Sequence, residues 1–189
     1  LNIYALNIKI LNDTDLELEY SNDSDKKIEV IIDVIDNVRF NLYEKKSGCK
    51  LKVQYVYNLN KYSSVNIYKF NDINEVNEAN VANLNGEYAN LNMFMKTIAK
   101  NVEKYDVRIY HNASFSKSNI KNYGVVIQNG VVTFNVSSFV LNNIIDCDVN
   151  QDNRIINFTN NKCTINPNLF IEENDVVANH SAYIRTFTD

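Results

Sequence analysis

Few side chains in this sequence are equipped for chemistry near neutral pH, and the most prominent is His180. The stretch NDVVANHSAYI, Asn174 to Ile184, alternates with period 2: Val176, Ala178, His180, Ala182 and Ile184 share one face of a strand. A half-buried strand would turn that imidazole inward among small apolar residues. The other histidine, His111, closes DVRIYHN and reads as a strand-end or turn residue bonded to backbone. A lone imidazole on an apolar face is more often a hydrogen-bonded interior residue than a ligand. Cys49, Cys147 and Cys163 are odd in number and lack CxxC spacing. That pattern argues against a disulfide framework or a structural zinc site and fits a reducing cytosol. Cys147 and Cys163 read first as small packed hydrophobes rather than nucleophiles.

One acidic run imitates a calcium loop. In Asp146-Cys147-Asp148-Val149-Asn150-Gln151-Asp152 oxygen ligands fall at positions 1, 3, 5 and 7. However, Gln151 stands where the loop needs Gly, and Asn157 where it needs a bidentate Glu. A solvated turn is the better reading. Glu172–Glu173 reads as an exposed strand end that deters edge pairing. No GxSxG, Walker A, GxGxxG or HExxH occurs, and two histidines leave little room for His-pair catalysis. The net charge of −4, with no Lys/Arg block, argues against a nucleic-acid footprint. No apolar run is long enough for a membrane span and no signal-peptide pattern opens the chain, so a cytoplasmic location is expected. Leu1 in place of an initiator Met is expected of a trimmed N-terminus.

The elements that must position these residues are almost all strand-like. With 45% hydrophobic and 22% charged residues the composition is globular, and 189 residues suit one domain. Alternation is clear in Lys27–Val34, Lys50–Tyr57 and, after a slip, in Asn2–Ile10. Asn and Asp clusters at Asn12–Asp15, Ser21–Asp25 and Asn71–Asn74 mark turns. Glu75–Lys104 mixes helix-favouring residues with period-2 order, and Ala89, Leu91, Met93 and Met95 on one face favour strand. About one residue in six is Asn, against four Gly and one Pro, so Asn must supply left-handed turn positions. It can also form hydrogen-bonded ladders if strands stack in register. Strand-like pieces start near Asp106, Val125, Ile144 and Thr164, about 20 residues apart, which predicts a β-solenoid. An immunoglobulin-like sandwich is the rival that strand counting leaves open.

Two ordered segments then carry a resemblance. DVRIYHNASFSKSNIKNYGVVIQNGVVTFNVSSFV, from Asp106, resembles a segment of the SufB/SufD family of iron–sulfur assembly proteins. QDNRIINFTNNKCTINPNLFIEENDVVANHSAYI resembles that family's closing signature, through Gln151, Arg154, Ile155, Pro167, Leu169, Ile171, Asp175, Val176, His180 and Ala182. The resemblance extends over about residues 105–184 and fades before Lys104.

The resemblance implies an all-β, right-handed parallel β-helix and a scaffold rather than an enzyme. It implies a SufB-type partner, or a second copy of this chain, and a transient iron–sulfur cluster with no stable cofactor. It assigns His180 to the junction where a nascent cluster is held. Arg154 falls where B-type subunits carry Cys, which makes the chain SufD-like and leaves Cys163 as the candidate thiolate beside His180. Residues 1–189 are expected to form one β-helix core without the family's flanking helices. A SufC-type ATPase is therefore a weakened candidate partner, because it docks on C-terminal helices. The Ser181-Ala182-Tyr183-Ile184-Arg185 run departs from the family's Gly-Ala-Thr-x-Gly. A β-solenoid structural or interaction module without a metal role remains the alternative. A solenoid-type lyase or hydrolase is disfavoured for want of a clustered acid/base set.

Overall fold

Alternating apolar residues build fourteen strands among the described residues of the computed structural model, 3–21, 27–48 and 50–187. They are β1 (Ile3–Ile10), β2 (Thr14–Tyr20), β3 (Lys27–Val34), β4 (Arg39–Ser47), β5 (Lys50–Leu59), β6 (Ser64–Asp72) and β7 (Glu75–Leu84). There follow β8 (Asn90–Ala99), β9 (Val102–His111), β10 (Lys117–Val126), β11 (Val131–Val140), β12 (Cys147–Asn157), β13 (Thr164–Ile171) and β14 (Val176–Thr186). Odd strands pair in one seven-stranded sheet and even strands in another, in sequence order. Each turn of the chain therefore contributes one strand to each sheet, and the whole is a right-handed parallel β-helix of about seven turns. The sandwich rival is excluded because every ladder is parallel.

The rungs are longer than the spacing read from the sequence. Ile3 aligns with Lys27 at the start of the helix, and Lys117 with Asp148 near its end. A full turn comprises two strands and two corners, whereas the shorter spacing joined points at different places in the turn and passed over β11. Asp106 lies within β9 and Val125 near the end of β10, while Ile144 sits in the corner before β12. The slip expected in β1 is also absent: Tyr4, Leu6, Ile8 and Ile10 align with Ile28, Val30, Ile32 and Val34. Glu75–Lys104 is strand throughout its regular parts, as β7, β8 and the start of β9. Cys49, and the Ser21–Asp25 turn apart from Ser21, lie outside the described residues.

Inward positions of both sheets meet in one apolar lumen that includes Phe40, Tyr55, Tyr57, Leu84, Ile109 and Phe134. Asparagine holds the outside. On the even sheet Asn41, Asn66 and Asn92 each donate Nδ2 to the rung before, at 2.7–3.0 Å, and Asp15 accepts from the first of them. Asn58 and Asn83 repeat the pattern down to Asp33 on the odd sheet. Asn66→Ala removes two ladder bonds and is expected to lower unfolding free energy by about 1–2 kcal/mol in urea titration. Asn77→Ala, exposed and outside any ladder, should change it by under ~0.5 kcal/mol. Equal effects would deny the ladder a stabilising role.

The corners use fewer Asn than expected. Asn37, Asn143 and Asp146 are left-handed, but so are Tyr62, Tyr88, Phe115 and Gln128. An αL side chain costs ~1–2 kcal/mol. Tyr62, Tyr88 and Phe115 offset that cost by stacking on one another, with ring centroids 4.9 and 4.8 Å apart. Glycine is needed where strands crowd: a Cβ on Gly86 would lie 2.0 Å from the Lys61 backbone nitrogen.

Candidate functional site

His180 sits midway along β14, the outermost strand of the even sheet. It is in register with Gln151 of β12, whose side chain is buried in the lumen, so the imidazole belongs to the inward-facing row. The expectation of an inward imidazole holds for direction and fails for burial. His180 is exposed, because no further rung covers β14. No hydrogen bond or ion pair among the described residues engages it. A rigid strand thus presents a free imidazole at the rim of the lumen.

The other expected site residues are not gathered around it. Cys163 is half-buried just before β13, with Sγ 3.9 Å from the Asn161 carbonyl. It packs against the core at the start of the terminal rung rather than beside mid-strand His180. Arg154 projects from the outer face of β12, since its neighbours Asn153 and Ile155 are the buried ones. There its guanidinium clamps Asp152 at 2.9 Å and lies over the Tyr123 ring, while Tyr123 and Ser181 hydroxyls donate to the same carboxylate. Arg154 and His180 therefore occupy opposite faces of one sheet. The calcium-like run is the start of β12, so Asp148, Asn150 and Asp152 line up along a strand instead of converging. Among the described residues no three His, Cys, Asp or Glu side chains could hold a metal ion together. One imidazole offers one ligand where an iron–sulfur cluster takes about four.

His111 is the last residue of β9, the strand end expected of it, and its ring is buried in the interior. Its ring nitrogens bond to the hydroxyls of Ser116 and Ser118, both at 2.8 Å. Burial, opposed only by the bond to Ser116, holds its pKa down at about 4, so the ring is neutral. Ser116 also lies 3.4 Å from Cys147 Sγ, whose pKa burial pushes up. A protonated, buried thiol of this kind is inert.

The largest polar feature is one that the sequence reading did not single out. Within the lumen Lys46 contacts Glu44 and lies 2.9 Å from Glu78, and Lys69 lies 2.6 Å from Glu78 and 3.6 Å from Glu44. Lys69 also sits 3.7 Å from the Tyr55 ring centroid. Burial alone would raise the Glu78 pKa, but Lys46 and Lys69 hold it at about 2. One rung further, Glu103 accepts from Thr97 and from the Tyr105 hydroxyl, which also accepts from Asn71. Burial outweighs those bonds and raises Glu103 to about 7. A signal for this cluster does exist in sequence: Glu44 and Lys46 share the parity of Phe40 and Leu42, and Glu78 that of Val76 and Ala82.

The fold is thus a parallel solenoid with a buried ionic cluster in its lumen and an exposed imidazole on its terminal strand. Residues 36–189 match the family described as SUF system FeS cluster assembly, SufBD core domain. That match covers most of the chain, which belongs to this family, and it begins well ahead of Lys104, where the resemblance in sequence fades. Members of the family are non-catalytic assembly proteins, so the chain is not an enzyme. No curated protein matches the sequence.

Proposed function

We propose that this chain is a SufD-like scaffold subunit that pairs with a SufB-type subunit through its terminal rung. His180 then contributes one ligand to a nascent iron–sulfur cluster, which is cargo and not a resident cofactor. The observation that supports this reading is the free imidazole on a rigid edge strand, turned toward the lumen and open to a neighbour. A neutral imidazole nitrogen is a competent iron ligand, and the strand fixes its direction. The remaining ligands come from the partner, with Cys163 on the same rung as this chain's own candidate thiolate. A SufC-type ATPase would join through the partner, and the reducing cytoplasm suits the free cysteines.

Co-expression with a SufB-type and a SufC-type protein from the same source, followed by anaerobic addition of ferrous iron and sulfide, tests the reading. A visible-absorbing cluster is expected to form in wild type and to weaken severalfold in His180→Ala. Cys163→Ser separates a thiolate role, which loses the cluster, from a packing role, which keeps it. Failure to bind any SufB-type protein would overturn the proposal and leave an interaction module without a metal role.

A further inference from the structure

Gln151 lies directly beneath His180 in the lumen, and its amide is only half satisfied. The residue is 3% exposed. Its Nε2 donates to the Ser138 hydroxyl at 2.9 Å and to the Asn168 carbonyl at 3.2 Å, both on the odd sheet across the lumen. A carbonyl only accepts, so the bond to Asn168 fixes which end of the amide is nitrogen. Oε1 is left sealed from water, with no hydrogen-bond partner among the described residues. Native structures rarely keep a buried oxygen in that condition, because its lost hydration is not replaced.

The surroundings leave one donor for it. In register with Gln151 are Ile120 below and His180 above. The diagonal amides already donate elsewhere, Asn122 to Asn153 Oδ1 and Asn153 to the Ser181 carbonyl. The nearest inward positions of the terminal rung are Pro167, Leu169, Ala178, His180 and Ala182, and only the imidazole among them carries a side-chain donor. The orphaned oxygens of Tyr57, Glu103 and Asn122 lie on deeper rungs. His180 and Gln151 are not bonded to each other in the orientation described. Adjacent strands are about 4.8 Å apart, however, and no strand lies over β14 to block rotation of the ring. A turn about the side-chain torsions brings one ring nitrogen onto Oε1.

We propose that Gln151 is a positioning residue for His180. Its Oε1 accepts the inner ring N–H, which holds the imidazole in one tautomer and directs the lone pair of the outer nitrogen out of the lumen. Metal-binding imidazoles generally have their second nitrogen held in this way. A carboxamide suits the task, because it accepts without carrying a charge into the apolar lumen. The bond is a property of this chain alone, while its consequence, an outer nitrogen open to iron, rests on the cluster reading of His180.

Long-range 1H–15N spectra of the wild-type chain at about pH 8, where a free imidazole is neutral, report the tautomer. His111, the only other histidine, is assigned by difference in His111→Gln. Gln151→Met fills a similar volume without an acceptor and is expected to shift the His180 tautomer ratio about fivefold, the worth of one hydrogen bond. Ser138→Ala removes a bond to Nε2 but leaves Oε1, so it should lower stability and keep the ratio. Circular dichroism confirms that each variant is folded. In complex with a SufB-type protein, Gln151→Met should lower the cluster yield severalfold.

Free-imidazole nitrogen shifts for His180 in the wild type overturn the proposal without recourse to any variant; a water molecule serving Oε1 would give that result. Equal movement of the ratio in Gln151→Met and Ser138→Ala, or a cluster yield that Gln151→Met leaves unchanged, also overturns it. The two readings fail differently. A fixed tautomer with no cluster refutes the iron role and leaves this bond standing, whereas a His180-dependent cluster over an unfixed ring refutes this bond alone.

Discussion

Glu78→Gln is expected to lower the unfolding free energy by about 3–5 kcal/mol, the range for removing one partner of a buried ion cluster. The two ammonium groups of Lys46 and Lys69 would keep only Glu44 as counter-ion, inside a lumen where all four side chains are fully buried. For a chain of this length the loss corresponds to roughly 6–20 °C in Tm. Removing the charges in balance should behave differently. Glu78→Leu with Lys69→Met leaves the Glu44–Lys46 pair intact and replaces a second pair by packing atoms, a change that is often neutral or stabilising. Urea titration of both variants decides the matter. A single variant as mild as a surface substitution, or a double variant less stable than the single, would show that the cluster is not paired as described.

The second large effect is a pH dependence that wild type conceals. His111 has a folded pKa of about 4, below the usual 6.5, so between those values the unfolded state binds the extra proton. Its contribution makes stability fall as pH drops from about 6.5 to about 4. Glu103 has a folded pKa of about 7 against the usual 4.5, so the folded state holds the extra proton. Its contribution makes stability fall as pH rises from about 4.5 to about 7. The two slopes oppose each other and nearly cancel between about pH 4.5 and 6.5. Each unmasked contribution is worth about 3 kcal/mol at 1.36 kcal/mol per unit. Glu103→Gln should therefore lose stability on acidification across that window, and His111→Gln on alkalinisation, while wild type stays flat. Below about pH 4.5 wild type also weakens, as Glu78 is protonated on unfolding well before it is protonated in the folded state. Parallel profiles for the two variants would contradict the opposed ionisations.

Much of this architecture is legible along the chain. Period-2 parity identifies Val53, Tyr55 and Tyr57 as one face, resolves Leu91–Met95 as strand, and puts His180 on the inward row, all of which hold. Parity is a local property, set by neighbours two positions away, so single-sequence reading reaches it. The order of Gln151, Pro167, Leu169, Ile171 and His180 likewise points to the family that the match over residues 36–189 establishes. Burial is another matter, because it depends on the rungs above and below, each a full turn of the chain away. His180 has the inward parity of Gln151, yet one is exposed and the other buried, since only Gln151 has a strand on both sides. The same distance dependence hid the stacking of Tyr43 on Tyr68 and the separation of Arg154 from His180 across a sheet, while Lys69 and Glu78 meet across the lumen from opposite sheets of one turn. Apart from the slip expected in β1, sequence alone determined which way the side chains of its clear strands point. Only the stacking of rungs decided what lies above and below them, and therefore which polar groups are sealed, paired or left free.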